Sequence, residues 1–169
     1  MTVTQSALPQ VVAGISISLM TEHDLLEVVE IEETSGLSQW GWDAYYHELR
    51  CGNRNLMLVG RLASAESELQ QEKIAAYIVA RLGAEEVHIN NVAVRPHYRR
   101  RGLGAVLLRR ILEEGRRLGA AAAFLEVRAG NVAAQALYQR CGLQVVGRRR
   151  NYYSNPTEDA LIMSAELKQ

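Results

Sequence analysis

The chain has 169 residues, 48% of them hydrophobic and 22% charged, with a net charge of zero, the balance of one soluble globular domain large enough for a full core. It lacks an apolar run of about 18 residues for a membrane span, a positive flank for a secretory signal (its first basic residue is Arg50) and enough cysteines for a disulfide framework or a metal site, so a reducing cytoplasm suits it. The zero charge hides a split, 13 acidic and 5 basic side chains through residue 90 against 6 and 14 after it, which points to different partners on two faces.

Residues 1–14 show no periodicity and read as a loose leader before a single domain over 15–169. "ISISL" (15–19) alternates as a strand does. Thr21 and Asp24 have the spacing of a capping box, with Asp in place of Glu, ahead of a helix through "EHDLLEVVEIEE". "TSGLSQWG" breaks that helix, and "WDAYYHELR" forms a second. "NLMLVGRLA" and "KIAAYIVARLG" read as two strands joined by a long polar loop, Ser64–Glu72. "VHINNVAV" (87–94) is a third, stopped by Pro96. "GLGAVLLRRILEEGRRLG" is an amphipathic helix, with Val106, Leu107, Ile111 and Leu118 expected inward and Gly119 at the C-terminal cap. "AAAFLEV" is a strand despite its alanines, "NVAAQALYQR" a helix, and "QVVGRRRNYY" and "ALIMSAEL" two last strands. This order predicts an α/β layer structure with a mixed sheet.

The densest signal is "RPHYRRRGLGAVLL" (95–108), where Arg95, Arg99, Arg100 and Arg101 precede Gly102 and Gly104. A strand leading through a glycine turn into a helix leaves backbone N–H groups and the positive end of the helix dipole free for an anion. Glycines let the backbone come close, and guanidinium groups grip phosphate oxygens in pairs. A pyrophosphate is the expected ligand. The P-loop pattern fails because no lysine follows the glycines, and the dinucleotide fingerprint fails because Leu107 stands where its third glycine belongs.

Arg99–Gly104 (Arg-x-x-Gly-x-Gly) after "NNVAV", with "FLEVRAGNVAAQALYQRCGL", "RRRNYY" and "EDALIM", resembles the GNAT superfamily of acetyl-coenzyme A-dependent N-acetyltransferases, and within it the ribosomal-protein alanine N-acetyltransferases. The likeness spans the chain from about Ile15. It implies a largely antiparallel mixed sheet with helices on both faces and a splayed strand pair at the coenzyme site. It assigns acetyl-CoA as co-substrate, with no metal. Its pyrophosphate would lie on Arg99, Arg100, Arg101, Gly102, Leu103, Gly104 and Ala105, and its pantetheine arm along Val92, Ala93 and Val94. Asn131 would contact the coenzyme, although Asn131 also reads as a helix N-cap. One departure stands in the loop before the second helix, where Gln39 precedes Trp40 in place of the family's usual proline.

Amine acetylation needs a neutral amine, a donor for charge developing on the thioester oxygen, and a proton for the leaving thiolate. Glu126 is the candidate base, the one carboxylate in an apolar strand; a charged strand end beside Arg128 is its other reading. Tyr138 is the candidate acid, and otherwise a core aromatic of the helix. The Val94 N–H is the natural donor to the thioester oxygen. Cys141 has no base near it in the sequence and reads as helix closure, not as a nucleophile. An α-amine, with a pKa near 8, is roughly a tenth neutral at pH 7, whereas a lysine near 10.4 is neutral only at about a part in two thousand, so a modest base suits the α-amine. Glu30, Glu32 and Glu33 read either as the solvated face of their helix or as charges that draw a basic peptide, such as the start of a ribosomal protein, to the acceptor side. The remaining expectations are a monomer or weak dimer that binds neither DNA nor membrane. Other amine acceptors, and an RNA-binding face on the arginines with Tyr152 and Tyr153, stay as alternatives.

Overall fold

Alternating apolar residues build strands wherever the sequence carries them, and periods of three to four build the helices that cover the sheet. The computed structural model describes residues 11–12, 14–52, 54–63 and 73–167. The strands are β1 (Val11–Val12), β2 (Ile15–Leu19), β3 (Asn55–Leu62), β4 (Ile74–Leu82), β5 (Glu86–Val94), β6 (Ala122–Arg128), β7 (Gln144–Ser154) and β8 (Thr157–Glu166). The helices are α1 (Leu25–Glu33), α2 (Gly41–Cys51), α3 (Leu103–Arg117) and α4 (Val132–Arg140). β1 pairs with β2 from within the stretch read as a leader. Residues 1–10 and the loop 64–72 lie outside the described residues.

The sheet order is β1-β2-β3-β4-β5-β6-β8-β7. Every neighbouring pair is antiparallel except β5 and β6, which α3 joins as a crossover. Leu107, Leu108 and Ile111 of α3 pack with Ile78, Ala80, Val87, Ile89, Ala123 and Leu125 on one face. Leu25, Val28 and Ile31 of α1 and Tyr45 of α2 pack with Met57, Val59, Tyr77, Val79 and Ala93 on the other. Two residues expected inside α3 depart from that pattern. Val106 is half-buried and Leu118 is 38% exposed. Leu103 and Leu108 take the inward places, because the buried stripe runs through 103, 107, 108 and 111, and Leu118 lies past the last helical turn. Gly119 caps α3 at φ +93, as expected. Asp24 accepts from the Thr21 backbone at 2.7 Å and from both ends of the Arg61 fork at 2.7 and 2.6 Å, which ties the α1 entry to β3.

Two irregularities shape the site. β5 carries a bulge, since Val79 faces Asn91 and Ala80 faces Ile89, leaving Asn90 extra. β5 and β6 pair only at Glu86–Ala122, Val87–Ala123 and His88–Phe124. Beyond these the strands part, which is the expected splay.

Candidate active site

The parted strands open a cavity of about 190 Å³, lined among others by His88, Asn90, Val92, Glu126, Asn131, Tyr138, Tyr152, Tyr153 and the 36–40 loop. Strand alternation divides its walls. Val87, Ile89, Ala123, Leu125 and Val127 belong to the α3-side core, so His88, Phe124, Glu126 and Arg128 project to the α1/α2 side. Tyr138, on α4, packs against the α3-side core. Glu126 and Tyr138 therefore reach the cavity from opposite faces of the sheet, as a reaction needing an acid and a base on two sides of one carbonyl requires.

Glu126 is 11% exposed, and its Oε2 lies 2.8 Å from His88 Nε2. Its Oε1 lies 3.7 Å from the Arg149 guanidinium. The His88 ring stacks on Phe124 at 4.5 Å. The Tyr138 hydroxyl has no hydrogen-bond partner among the described residues, and burial, with the neighbouring Tyr153 and Cys141, pushes its pKa up to about 12. It therefore holds its proton at any physiological pH and can donate it. The Cys141 thiol is pushed up by burial and points to the Ala105 carbonyl at 3.9 Å, which leaves it a poor nucleophile.

Just past β5, Arg95 N–H donates to the Ala75 carbonyl of β4 at 2.8 Å. By alternation the N–H and C=O of Val94 and Val92 face the opening left by β6. Ala93 turns its own backbone groups to β4 and its side chain into the α1/α2 core, so it is not aimed into the cleft. Asn131 caps α4, its side chain accepting from Ala134 N at 3.1 Å, and it also lines the cavity. Both readings of that residue hold in geometry.

Four arginines precede the glycines in sequence, but the fold separates them. Arg95 is 5% exposed and is held by the Ile74 carbonyl at 2.7 Å and by Glu27 and Glu30, each at 3.0 Å. It clamps α1 to the sheet and takes no part in an anion site. Arg99, Arg100 and Arg101 are exposed at the start of α3. Arg99 Nε is bonded to the Val94 carbonyl at 2.9 Å, and Arg101 lies 5.2 Å from the Tyr98 ring centroid. Gly102 opens α3 at φ +82, and a Cβ added there would meet nothing within 4 Å. The first N–H groups of α3 have no partner inside the helix. Exposed guanidinium groups and open N–H groups fit a pyrophosphate. Leu103 is buried, so only its backbone can contribute. Gly104 plays another part: a Cβ there would sit 2.8 Å from Leu137 Cδ1, so this glycine lets α3 pack on α4.

The acidic residues expected to draw a peptide are mostly committed elsewhere. Glu30 pairs with Arg95. Glu32 is 1% exposed and accepts from Trp40 N at 2.8 Å, Gly41 N at 3.1 Å and the Tyr45 hydroxyl at 2.7 Å. Tyr45 in turn meets Tyr77 at 2.8 Å and accepts from Asn91 at 2.8 Å. This buried network fixes the 36–40 loop against the β5 bulge. Of the three, Glu33 is exposed and takes part in neither arrangement. Sequence reasoning missed His88, Arg149 and the network. Only His88 left a signal, as the single histidine in the strand that must border the splay.

The acetyltransferase (GNAT) family matches residues 25–143, or most of the domain. The chain belongs to this family. It is an acetyltransferase that uses acetyl-CoA. A ribosomal protein bS18-alanine N-acetyltransferase of Salmonella typhimurium is 32% identical over 154 residues, covering 90% of this chain and 97% of the relative. One of Escherichia coli is 42% identical over 100 residues, 58% of this chain and 68% of the relative. The crystal structure of the Escherichia coli ribosomal-protein-S18-alanine N-acetyltransferase superposes with a TM-score of 0.77 at 32% identity, covering 92% of this chain and 95% of that one. No helix among the described residues is long and apolar enough to cross a membrane.

Proposed function

We propose that this acetyltransferase transfers the acetyl group directly to the α-amine of an N-terminal alanine on a small-subunit ribosomal protein in the cytoplasm, acting as a monomer or weak dimer. One observation carries the site chemistry: a half-buried carboxylate, Glu126, and a tyrosine hydroxyl with no partner among the described residues, that of Tyr138, line one cavity where β5 and β6 part. The names of the relatives support the acceptor.

Glu126 takes the proton of the incoming amine from the α1/α2 side. Tyr138 gives its proton to the sulfur from the α3 side. The Val94 N–H donates to the thioester oxygen as charge develops there. Val92 and Val94 pair with the pantetheine arm as an added strand would, and Arg99–Arg101 with the N–H groups of Gly102–Ala105 hold the pyrophosphate. Asn131 borders the coenzyme while capping α4. The 36–40 loop borders the acceptor chain.

The test incubates purified protein and acetyl-CoA with peptides beginning Ala, Ser and Met, and with acetyl-Ala-Lys, and reads the modified amine by mass spectrometry. Acetylation confined to Ala-starting peptides is the expected result. Modification of the lysine in acetyl-Ala-Lys alone would overturn the α-amine reading.

A further inference from the structure

We propose that His88 is the exit for the proton released in each turnover. The proposal rests on the α-amine reading above. An α-ammonium and an acetyl thioester give an amide, a thiol and one proton. The C–N bond forms and the C–S bond breaks. Two protons leave the nitrogen, and one of them ends on the sulfur by way of Tyr138. The second is taken by Glu126 and has to leave the site before the next cycle.

Glu126 has a poor route to water of its own. Its side chain is 11% exposed, on the floor of a cavity that the acceptor chain enters. Two groups touch the carboxylate. Arg149, 3.7 Å from Oε1, offers only donors and cannot pass a proton on. His88 Nε2, 2.8 Å from Oε2, can. Imidazole takes a proton at one ring nitrogen and releases one from the other. The His88 side chain lines the same cavity but is 33% exposed, three times the exposure of Glu126, so its ring offers the carboxylate the better-exposed path to solvent. Stacking on Phe124 holds the ring plane in place for that bond.

The charged and titratable neighbours leave room for this cycle. On β4, Arg81 faces His88 in register, but Glu48 of α2 grips its guanidinium. On β6 the neighbours are Phe124 and Glu126. On β7 they are Arg149, Tyr152 and Tyr153, which border the same cavity or its carboxylate. His88 acts through Glu126, so it is a relay and positioning residue and does not touch the reacting atoms.

His88→Gln keeps a hydrogen-bond donor to Glu126 and removes the relay. In weak buffer at pH 7, its kcat on an Ala-starting peptide should fall about tenfold, a modest share of a general-base effect. KM for acetyl-CoA and peptide should change less than about twofold. Adding free imidazole should restore kcat in proportion to its concentration, with no such response in wild type. A loss that imidazole leaves untouched, or a His88→Gln rate equal to wild type from pH 6 to 9 in weak buffer, would overturn the relay. His88→Asn, shorter by one methylene, checks folding by its melting temperature and should show the same imidazole response. A wild type that acetylates no α-amine would instead overturn the acceptor reading, and the relay with it.

Discussion

The two walls of the cleft are built by different means. The proposed coenzyme wall is local: seven consecutive residues, Arg99–Ala105, supply the exposed guanidinium groups and the open N–H groups of one turn. The proposed acceptor wall is assembled from afar. Glu32, Tyr45, Tyr77 and Asn91 come from α1, α2, β4 and β5, and their buried hydrogen bonds fix the 36–40 loop. A ligand of constant shape can be held by a short turn that any sequence copies whole. A variable acceptor is met by a loop whose position depends on the packing beneath it.

Substitutions on the two walls should separate accordingly, and the chemistry between them should respond most. Glu126→Gln should lower kcat/KM on an Ala-starting peptide by about 10²–10⁴-fold at pH 7. Because solution then supplies neutral α-amine, the deficit should shrink by about pH 8–9, whereas a lysine acceptor would recover only near pH 10. Parallel pH profiles without convergence would show that Glu126 is not the base.

Tyr138→Phe should lower kcat by roughly 10²-fold, with acetyl-CoA affinity unchanged by calorimetric titration. Near-normal single-turnover rates would return Tyr138 to a packing role. Burial, with Tyr153 and Cys141, raises its folded pKa to about 12 from an unfolded value of about 10. Its contribution to stability is therefore complete below about pH 10 and lost as pH rises through about 12. In the enzyme, kcat should show no falling limb from this group below about pH 10.

Glu32→Gln tests the acceptor wall alone. The amide cannot accept from all three of Trp40 N, Gly41 N and the Tyr45 hydroxyl as the carboxylate does. A stability loss of about 1–3 kcal/mol is expected by denaturant titration. KM for the peptide should rise several-fold while acetyl-CoA affinity stays put. Equal weakening of both ligands would erase the distinction between the walls.

The glycine turn is tested through stability alone. Gly104→Val should reduce stability by about 1–3 kcal/mol, because the added atoms meet Leu137 of α4. Gly102→Ala should cost about 1–2 kcal/mol through its left-handed φ, with open space around the new methyl group. Melting curves of both variants, with and without acetyl-CoA, check the order. A Gly104→Val variant as stable as wild type would remove the packing role of that glycine against α4.

Much of the fold was legible because local patterns and tertiary demands agree. The strand over 15–19, the capping contact of Thr21 with Asp24, the stop at Pro96 and the cap at Gly119 each depend on residues within a few positions of one another. Asn90 and Asn91 are poor strand formers, and the bulge in β5 falls there. "AAAFLEV" is a strand against its propensity because β5 and β8 flank it and bury Ala123.

By itself the sequence determined the element order, and it singled out the glycine turn, Glu126 and Tyr138 that the proposed chemistry uses. These depend on spacing along one chain, which sequence records directly. Only the tertiary structure decided that Arg95 is a buried clamp while its three neighbours stay exposed, that Glu30 and Glu32 are structural, and that His88 meets Glu126. Such facts depend on which strands lie side by side and which face a residue takes. A single bulge at Asn90 sets that alternation, and once it is set, long-range burial decides which charges remain free to act.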